Sequence, residues 1–371
     1  MLTITQRQDL ESLNDQLPAF LESLAVSGEP GRFLPCRRGV TPEGRQAALG
    51  FSCFAAKIRY TIGLWERLAP SEQKKHLDLI RSFQLDTPNE TNEYERNAFL
   101  DPGLIDYLRN AAANGITFYP DETVPYWQTT IWAETRQAIA TLAQFDEPPL
   151  RPYQGFPTTP ERLIHHLERQ DWSRPWTAGG QTAAMVVLIR TNGPKSLGQA
   201  QTHTLLHLCQ QAFDKVLSSE TGAYFTGPPP EHGELINGAM KVLTALDWLE
   251  SPIHAPKKLI DTCLVKKPSP EGCHLVDAIY VLYRCCLTCD HRRAEVKNYA
   301  LDVLDMIFRH RCPDGGLSYG LKHSQTSYYG LPTSDGRREG DIHGTILLTW
   351  ALAMILAILE DNPPHWRVIR P

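Results

Sequence analysis

The sequence predicts an all-α protein in which about six helical hairpins form an α/α toroid. Nearly every apolar segment of the 371 residues recurs at helical spacing. In addition, one order of features repeats along the chain: a surface helix, a loop with Gly or Pro, a polar cluster and an apolar helix. The repeats are unequal in length, which favours a closed ring over an open solenoid. We expect the apolar helices to line the ring with their first residues at one end.

The most apolar segment, ILLTWALAMILAIL, lies near the C-terminus and follows GDIHGT. It has no polar face before Glu360, which predicts a helix that other helices bury on nearly every side. Because the run is shorter than the ~18 to 20 apolar residues of a membrane span, we expect no transmembrane segment. Peripheral contact with a membrane is compatible with this sequence.

The remaining predicted helices alternate between surface and interior. The expected helices are residues 9–26, 46–68, 71–83, 102–113, 132–145 and 161–169, the outer helices 203–217, 256–265 and 293–310, and the inner segments TAAMVVLIR, GAMKVLTALDWL and AIYVLYRCC. A Pro-rich linker, DEPPLRPYQGFPTTP, interrupts them. We therefore expect one domain, 1–371, with a candidate N-terminal subdomain at 1–150 and core repeats at 151–371.

Charge and composition exclude some classes of function. The formal net charge of −5 and the scattered Lys and Arg residues give no basic surface for nucleic acid. The N-terminus lacks the pattern of a secretory signal, which predicts a cytoplasmic protein. Most of the nine cysteines lie in apolar helical patterns, as free thiols do in a reducing compartment.

Polar clusters stand at the start of four predicted inner helices. In a ring with all inner helices pointing the same way, these clusters meet at one end, so we expect them to line one cavity. The residues concerned are Gln181, Glu234, Asn237, His274, Asp277, Asp341 and His343.

Three segments resemble the terpenoid cyclase and protein prenyltransferase β-subunit superfamily, whose members are α/α toroids. ETGAYFTGPPPEHGELINGAMKVLTAL is similar to its repeat, with Glu234 at the acidic position. HLVDAIYVLY and GDIHGTILLTWAL are similar to the segments that supply zinc ligands in the prenyltransferases, and Asp277 and His343 match two of them. Ile279 stands where the cysteine ligand belongs, and the cyclase motifs DxDD and DDxxD are absent.

The resemblance implies a hydrophobic isoprenoid substrate in a closed apolar cavity and a proton-initiated cyclisation. The implied catalytic residues are Asp341, His343, Asp277 and Glu234. The candidate binding residues are Gln181, Asn237, His274, Tyr328, Tyr329, Trp176 and Arg136, among which aromatic faces would stabilise carbocations. No cofactor is certain. Zn²⁺ and Mg²⁺ are the candidates, with His274, Asp277 and His343 as a ligand set.

The residues leave two other functions open. The first is a polysaccharide lyase or glycosidase on the same toroid, which would use Asn237, His343, Tyr328, Arg136 and Glu234 in an open groove. The second is a non-catalytic binding protein that kept the toroid. An apolar closed cavity favours an isoprenoid, whereas an open groove with aromatic platforms favours a sugar. An aspartate at a helix start, such as Asp341, equally fits a helix cap.

Overall fold

The computed structural model describes residues 2–118, 125–361 and 365–371, and these parts form thirteen α-helices and a two-stranded β-hairpin. Six of the helices form a closed inner ring in which each helix packs against the next and the last against the first. In ring order these are α2 (Leu49–Thr61), α5 (Tyr126–Gln144), α7 (Pro175–Ser196), α9 (His232–Leu249), α11 (Gly272–Cys286) and α13 (Ile342–Leu359). The predicted α/α toroid is confirmed.

The other helices surround this ring and alternate with the inner helices along the chain. They are α1 (Ile4–Leu24), α3 (Pro70–Ser82), α4 (Pro102–Ala113), α6 (Pro160–Glu168), α8 (Gln199–Val216), α10 (Pro256–Cys263) and α12 (Arg293–Phe308). Six hairpins result because α3 and α4 both precede α5. The first hairpin is α1 with α2, so the ring includes helices from both sides of residue 150. A separate N-terminal subdomain stays a prediction.

Helix α13 completes the ring by packing between α11 and α2. By length and composition alone it could cross a membrane, but 83% of its residues are buried within the protein. Asp341 ends the preceding loop, and its side chain accepts a hydrogen bond from Gly344 N–H. The apolar sequence therefore reflects burial on both sides of the ring.

The C-terminal segment, residues 365–371, closes the end of the ring where the inner helices finish. Arg367 N–H donates to Thr61 O at the end of α2 (2.8 Å), and Trp248 Nε1 near the end of α9 donates to Pro371 O (2.8 Å). Trp366 and Ile369 are buried against these ends. Ligands must therefore approach from the opposite end, which we call the mouth.

Contacts between helix starts define the mouth. Glu234 at the start of α9 reaches the start of α7, and Asn237 of α9 bonds His274 of α11. The ring of His343 at the start of α13 stacks on Phe54 of α2, with 4.6 Å between centroids and 4° between planes. The starts of the inner helices thus lie at one end, as the repeat pattern predicts.

A short β-hairpin lies over the mouth, with strands β1 (Ser327–Tyr328) and β2 (Leu331–Pro332). Its two turn residues, Tyr329 and Gly330, have φ angles of +48° and +84°. A Cβ atom on Gly330 would lie 2.4 Å from the ring of Phe118, so the position requires glycine for space as well as conformation. The hairpin turns Tyr328 inward and leaves Tyr329 beside it.

We predict that Trp366→Ala lowers the free energy of unfolding by about 3 kcal/mol, because Trp366 is buried where the C-terminal segment closes the ring. The matched control is Leu287→Ala, since Leu287 is 64% exposed and should change stability by less than about 0.5 kcal/mol. Urea unfolding followed by circular dichroism measures both. Equal effects of the two substitutions would show that the segment does not close the ring.

Candidate functional site

A cleft of about 530 Å³ opens beside the mouth between α5, α6 and α7. Its described walls combine aromatic rings with hydroxyl, amide, imidazole and guanidinium groups. The rings are those of Tyr94, Tyr126, Trp132, Phe156 and Tyr329. The polar lining residues include Thr129, Thr130, Gln170 and Gln181.

The loop before α6 fixes the aromatic wall of the cleft. Trp132 of α5 donates from Nε1 to Gly155 O at 2.6 Å. Its ring lies 4.6 Å from that of Tyr94 and meets the edge of His166 at 5.3 Å. These contacts hold the rings in place without a ligand, which reduces the entropy lost when one binds.

The described cleft residues carry more positive than negative charge. Arg162, Arg169 and Arg174 line it, and the one carboxylate among its described lining residues, Glu93, forms an ion pair with Arg162. Burial lowers the pKa of His166 to about 4, with a further contribution from Arg169. The imidazole is therefore neutral at pH 7.

Glu234 and Asn237 both serve contacts between inner helices. Glu234 Oε1 accepts from the backbone N–H of Trp176 at 2.9 Å, which satisfies a free donor at the start of α7. Asn237 Nδ2 lies 3.0 Å from His274 Nδ1, which must accept because the amide nitrogen donates. Asn237 and His274 line a second pocket of about 290 Å³, between α9 and α11.

His343 lies at the mouth, in the first turn of α13. Its Nδ1 lies 2.8 Å from Gln325 Oε1, which can only accept, so the hydrogen of the neutral ring is on Nδ1 and Nε2 keeps a lone pair. Burial lowers the pKa of His343 to about 3, and the charge of Lys241 acts in the same direction. The ring is neutral across the physiological pH range.

Asp277 is the carboxylate with fewest partners at the mouth. It is 3% exposed, and its buried Oδ2 makes no hydrogen bond within the described chain. Burial raises its pKa to about 6, while the charge of Lys241 opposes the shift. No ion pair joins Lys241 to Asp277 among the described residues, although the charge of Lys241 lies near enough to act on the carboxyl group.

Asp341, in contrast, has a complete set of partners. Its Oδ1 accepts from Gly344 N–H at 2.7 Å, and its Oδ2 accepts from the N–H groups of Tyr319 (2.7 Å) and Gln325 (3.1 Å). The carboxylate caps α13 and fixes the loop that carries Gln325. The geometry is that of a cap, and the catalytic role predicted for Asp341 stays a prediction.

Tyr328 joins a buried acid that the sequence did not reveal. Its hydroxyl donates to Glu134 Oε1 at 2.6 Å, although 194 positions separate the two residues, while the buried Glu134 Oε2 has no partner in the described chain. Burial raises the pKa of Glu134 to about 8, against the effect of the Tyr328 hydrogen bond. The acid is therefore mostly protonated at pH 7.

The structure distributes the predicted residues around the mouth. Gln181 and Tyr329 line the cleft, Asn237 and His274 line the second pocket, and Trp176 and Arg136 are half-buried. Within residues 2–118, 125–361 and 365–371, no group of three or more His, Cys, Asp or Glu side chains could hold a metal ion. His274, Asp277 and His343 therefore do not form the ligand set that the resemblance implied.

Lys241, Glu134 and Gln325 were missed by the sequence reasoning. A signal existed for Lys241, because it interrupts the apolar run GAMKVLTAL and follows Glu234 by seven residues, on the same helix face. Glu134 lies near the start of the predicted helix 132–145, where a polar residue does not by itself indicate a function. Nothing in the sequence connects Gln325 with His343.

No family model and no curated protein matches this chain. Among solved structures, it is similar to a GH76 α-mannanase of Bacteroides thetaiotaomicron, with a TM-score of 0.45 and 11% identity, covering 95% of this chain and 96% of that one. It is also similar to the GH76A α-1,6-mannanase of a Salegentibacter species, with a TM-score of 0.44 and 12% identity, covering 94% and 99%. An inactive variant of that enzyme, with two adjacent aspartates replaced by alanine, was solved with α-1,6-mannotetraose. This chain has no adjacent aspartates.

The predictions of a terpenoid cyclase-like protein and of a hydrophobic isoprenoid partner are wrong. The similar solved structures are mannan-degrading enzymes. The structure itself gives a physical reason: an isoprenoid cavity needs apolar walls, whereas cationic side chains stand among the inner helices at Lys57, Arg136 and Lys241. The toroid is the part of the resemblance that holds.

We predict that Glu134→Gln removes a pH dependence of stability. Between the ordinary value of 4.5 and about 8, folded Glu134 keeps its proton and the unfolded chain loses it, so stability falls as pH rises. The free energy of unfolding of the wild type should therefore fall relative to the variant by roughly 1 kcal/mol per pH unit. Urea unfolding at pH 5 to 8 measures this.

The exposed Glu43→Gln serves as the control for Glu134→Gln and should show no such divergence from the wild type. Parallel pH curves for wild type and Glu134→Gln would mean that Glu134 ionises normally in the folded protein.

Proposed function

We propose that the protein binds an oligosaccharide in the cleft between α5, α6 and α7 and cleaves a glycosidic bond at the mouth. The observation that carries the proposal is the open cleft, whose aromatic rings alternate with hydrogen-bonding side chains beside the polar mouth. An apolar ligand would not need this mixture.

Sugars match this lining because a pyranose ring has flat apolar C–H faces and a rim of hydroxyl groups. The rings of Tyr94 and Tyr329 offer flat surfaces for the faces, while Thr129, Thr130 and Gln181 offer partners for hydroxyls. A cleft of about 530 Å³ has room for a few sugar units.

The cleft leads toward the reactive groups of the mouth. Tyr329 at its inner end contacts Tyr328, with 4.6 Å between ring centroids, and Tyr328 meets the edge of His343 at 5.8 Å. Gln181 lies on α7. Glu234 of α9 accepts a hydrogen bond from the backbone at the start of that helix. A chain bound in the cleft and extended past Tyr329 places its next sugar over His343.

Asp277 and His343 are the groups we assign to the reaction. Protonated Asp277 gives its proton to the glycosidic oxygen as the bond to the anomeric carbon breaks and its electron pair moves to that oxygen. Water that donates a hydrogen bond to the lone pair of His343 Nε2 attacks the anomeric carbon and releases its proton to solvent, because a pKa of about 3 makes His343 a poor base. Two carboxyl groups are usual in such hydrolysis. In the described cleft lining the one carboxylate, Glu93, is held by Arg162, so the acid has to come from the mouth.

We predict that Asp277→Asn lowers kcat on a cleaved oligosaccharide at least ~100-fold while KM changes little, because only proton transfer is lost. Since Asp277 must be protonated, wild-type turnover should fall about tenfold per unit as pH rises beyond its pKa of about 6. The exposed Asp106→Asn is the matched control and should keep full activity. Full turnover by Asp277→Asn would place the acid elsewhere.

Binding is tested separately from cleavage. With a panel of neutral and acidic oligosaccharides that includes α-1,6-linked mannose, calorimetry should show binding that Tyr94→Ala weakens about tenfold through loss of an aromatic face. Tyr283→Ala on α11, outside the described cleft lining, is the control. Binding without cleavage would favour a non-catalytic binding protein, and no binding by any of the panel would overturn the proposal.

A further inference from the structure

Lys57 points from α2 into the interior of the ring. It follows Gly50 by seven residues and Phe54 by three, so the three share a helix face. Phe54 stacks on His343 of α13, and a Cβ on Gly50 would meet the hydroxyl of Tyr328 at 2.6 Å, so this face looks inward. Lys57 is only 4% exposed.

The side chain of Lys57 forms no hydrogen bond and no ion pair with any residue that the structure describes. An ammonium group carries three donors and no acceptor. Burying it without a partner is unfavourable, so such a group is expected to have a counter-ion in its working state.

Two further donors lie on α5, the neighbour of α2 in the ring. Arg136 is half-buried and, among the described residues, forms neither a hydrogen bond nor an ion pair. Gln137 Nε2 is buried and has no partner in the described chain. Arg136 lies close enough to Lys57 for its charge to lower the pKa of that ammonium, an effect added to the larger one of burial. Donors and positive charge are thus in excess here.

Two buried acids on α5 and at the start of α4 do not neutralise this charge. Glu134 accepts from Tyr328 and is mostly protonated at pH 7. Asp101 accepts from the backbone N–H groups of Ala48, Leu49 and Gly103 at the starts of α2 and α4. No acid in the described part of the chain forms an ion pair with Lys57 or Arg136, which leaves both cations open to a counter-ion from solution.

We propose that the interior of the ring holds an anion with several oxygen atoms between α2 and α5, bound by Lys57, Arg136 and Gln137. Carboxylate, phosphate and sulfate groups share this chemistry, since each offers acceptors to an ammonium, a guanidinium and an amide together. The partial exposure of Arg136 gives the anion a route from solvent. The site does not depend on the proposed function.

The first test uses inorganic phosphate and sulfate against chloride at equal ionic strength. We expect both oxyanions, near 100-fold above Kd, to raise the Tm of the wild type by a few degrees, and chloride to leave it unchanged. Lys57→Met should abolish the response, lowering affinity ~10-fold or more, and should raise the Tm in anion-free buffer by removing a buried unpaired charge.

Arg136→Gln keeps hydrogen-bonding ability without the charge and should weaken the anion response in the same way. The matched control is Lys75→Met on α3, because Lys75 is exposed and also has no partner in the described chain. It should leave the response intact. A wild type that responds to no oxyanion and no acidic sugar, or a Lys57→Met variant that keeps the full response, would overturn the site.

A second pair of ligands identifies the source of the anion. A trisaccharide of galacturonate is compared with the galactose trisaccharide by calorimetry. Tighter binding of the acidic sugar, lost in Lys57→Met, makes a sugar carboxylate the occupant. If the protein responds to phosphate but binds neither trisaccharide, the anion site is supported with a free oxyanion as its occupant, and the saccharide proposal fails. Equal binding of both sugars with no phosphate response leaves the saccharide proposal standing and overturns the anion site.

Discussion

The closure of the inner ring is the constraint on which the rest of the structure depends. Each inner helix must bury two flanks against neighbours and a third face against the outer helices, and only the face toward the interior is released from this demand. Helix α13, the last of the ring, meets the demand most completely, because it packs against α11 on one side and against α2, the first helix of the ring, on the other. Polar residues are tolerated where helices start at the mouth or where a side chain points inward.

Helix starts also explain why the mouth is polar before any ligand is considered. The first N–H groups of a helix have no partner within it, and six inner helices begin at this end. Asp341 and Glu234 satisfy such groups. The same residue types that make a catalytic centre therefore have a structural reason to be there. Asp277 and His343 differ because their functional atoms do not bond the free N–H groups at the helix starts.

The sequence predicts the fold better than the site, for a physical reason. Helical periodicity depends on neighbours within one segment, so the helix at 102–113 matches α4 (Pro102–Ala113), and the repeat of outer and inner helices predicts the ring. The predicted start of α5 is six residues late, since Tyr126–Thr130 has no apolar repeat. The pair of Glu134 and Tyr328 depends on ring closure across 194 positions, which no local pattern encodes.

The interior of the ring explains why the apolar inner helices pointed to the wrong ligand. Counted by composition, one lysine in GFSCFAAKIRY or GAMKVLTAL hardly changes an apolar segment. In the folded ring, however, these two lysines, Lys57 and Lys241, point to the interior. The space that they face is lined by few other charges. Desolvation shifts two titratable groups there toward neutrality: the pKa of Lys57 falls to about 8, and that of Asp277 rises to about 6. An anionic ligand would reverse the first shift and strengthen the second, because it stabilises the ammonium and opposes a carboxylate. A bound anion in the interior would thus keep Asp277 protonated to higher pH, which links charge recognition to the proton that cleavage of a glycosidic bond requires.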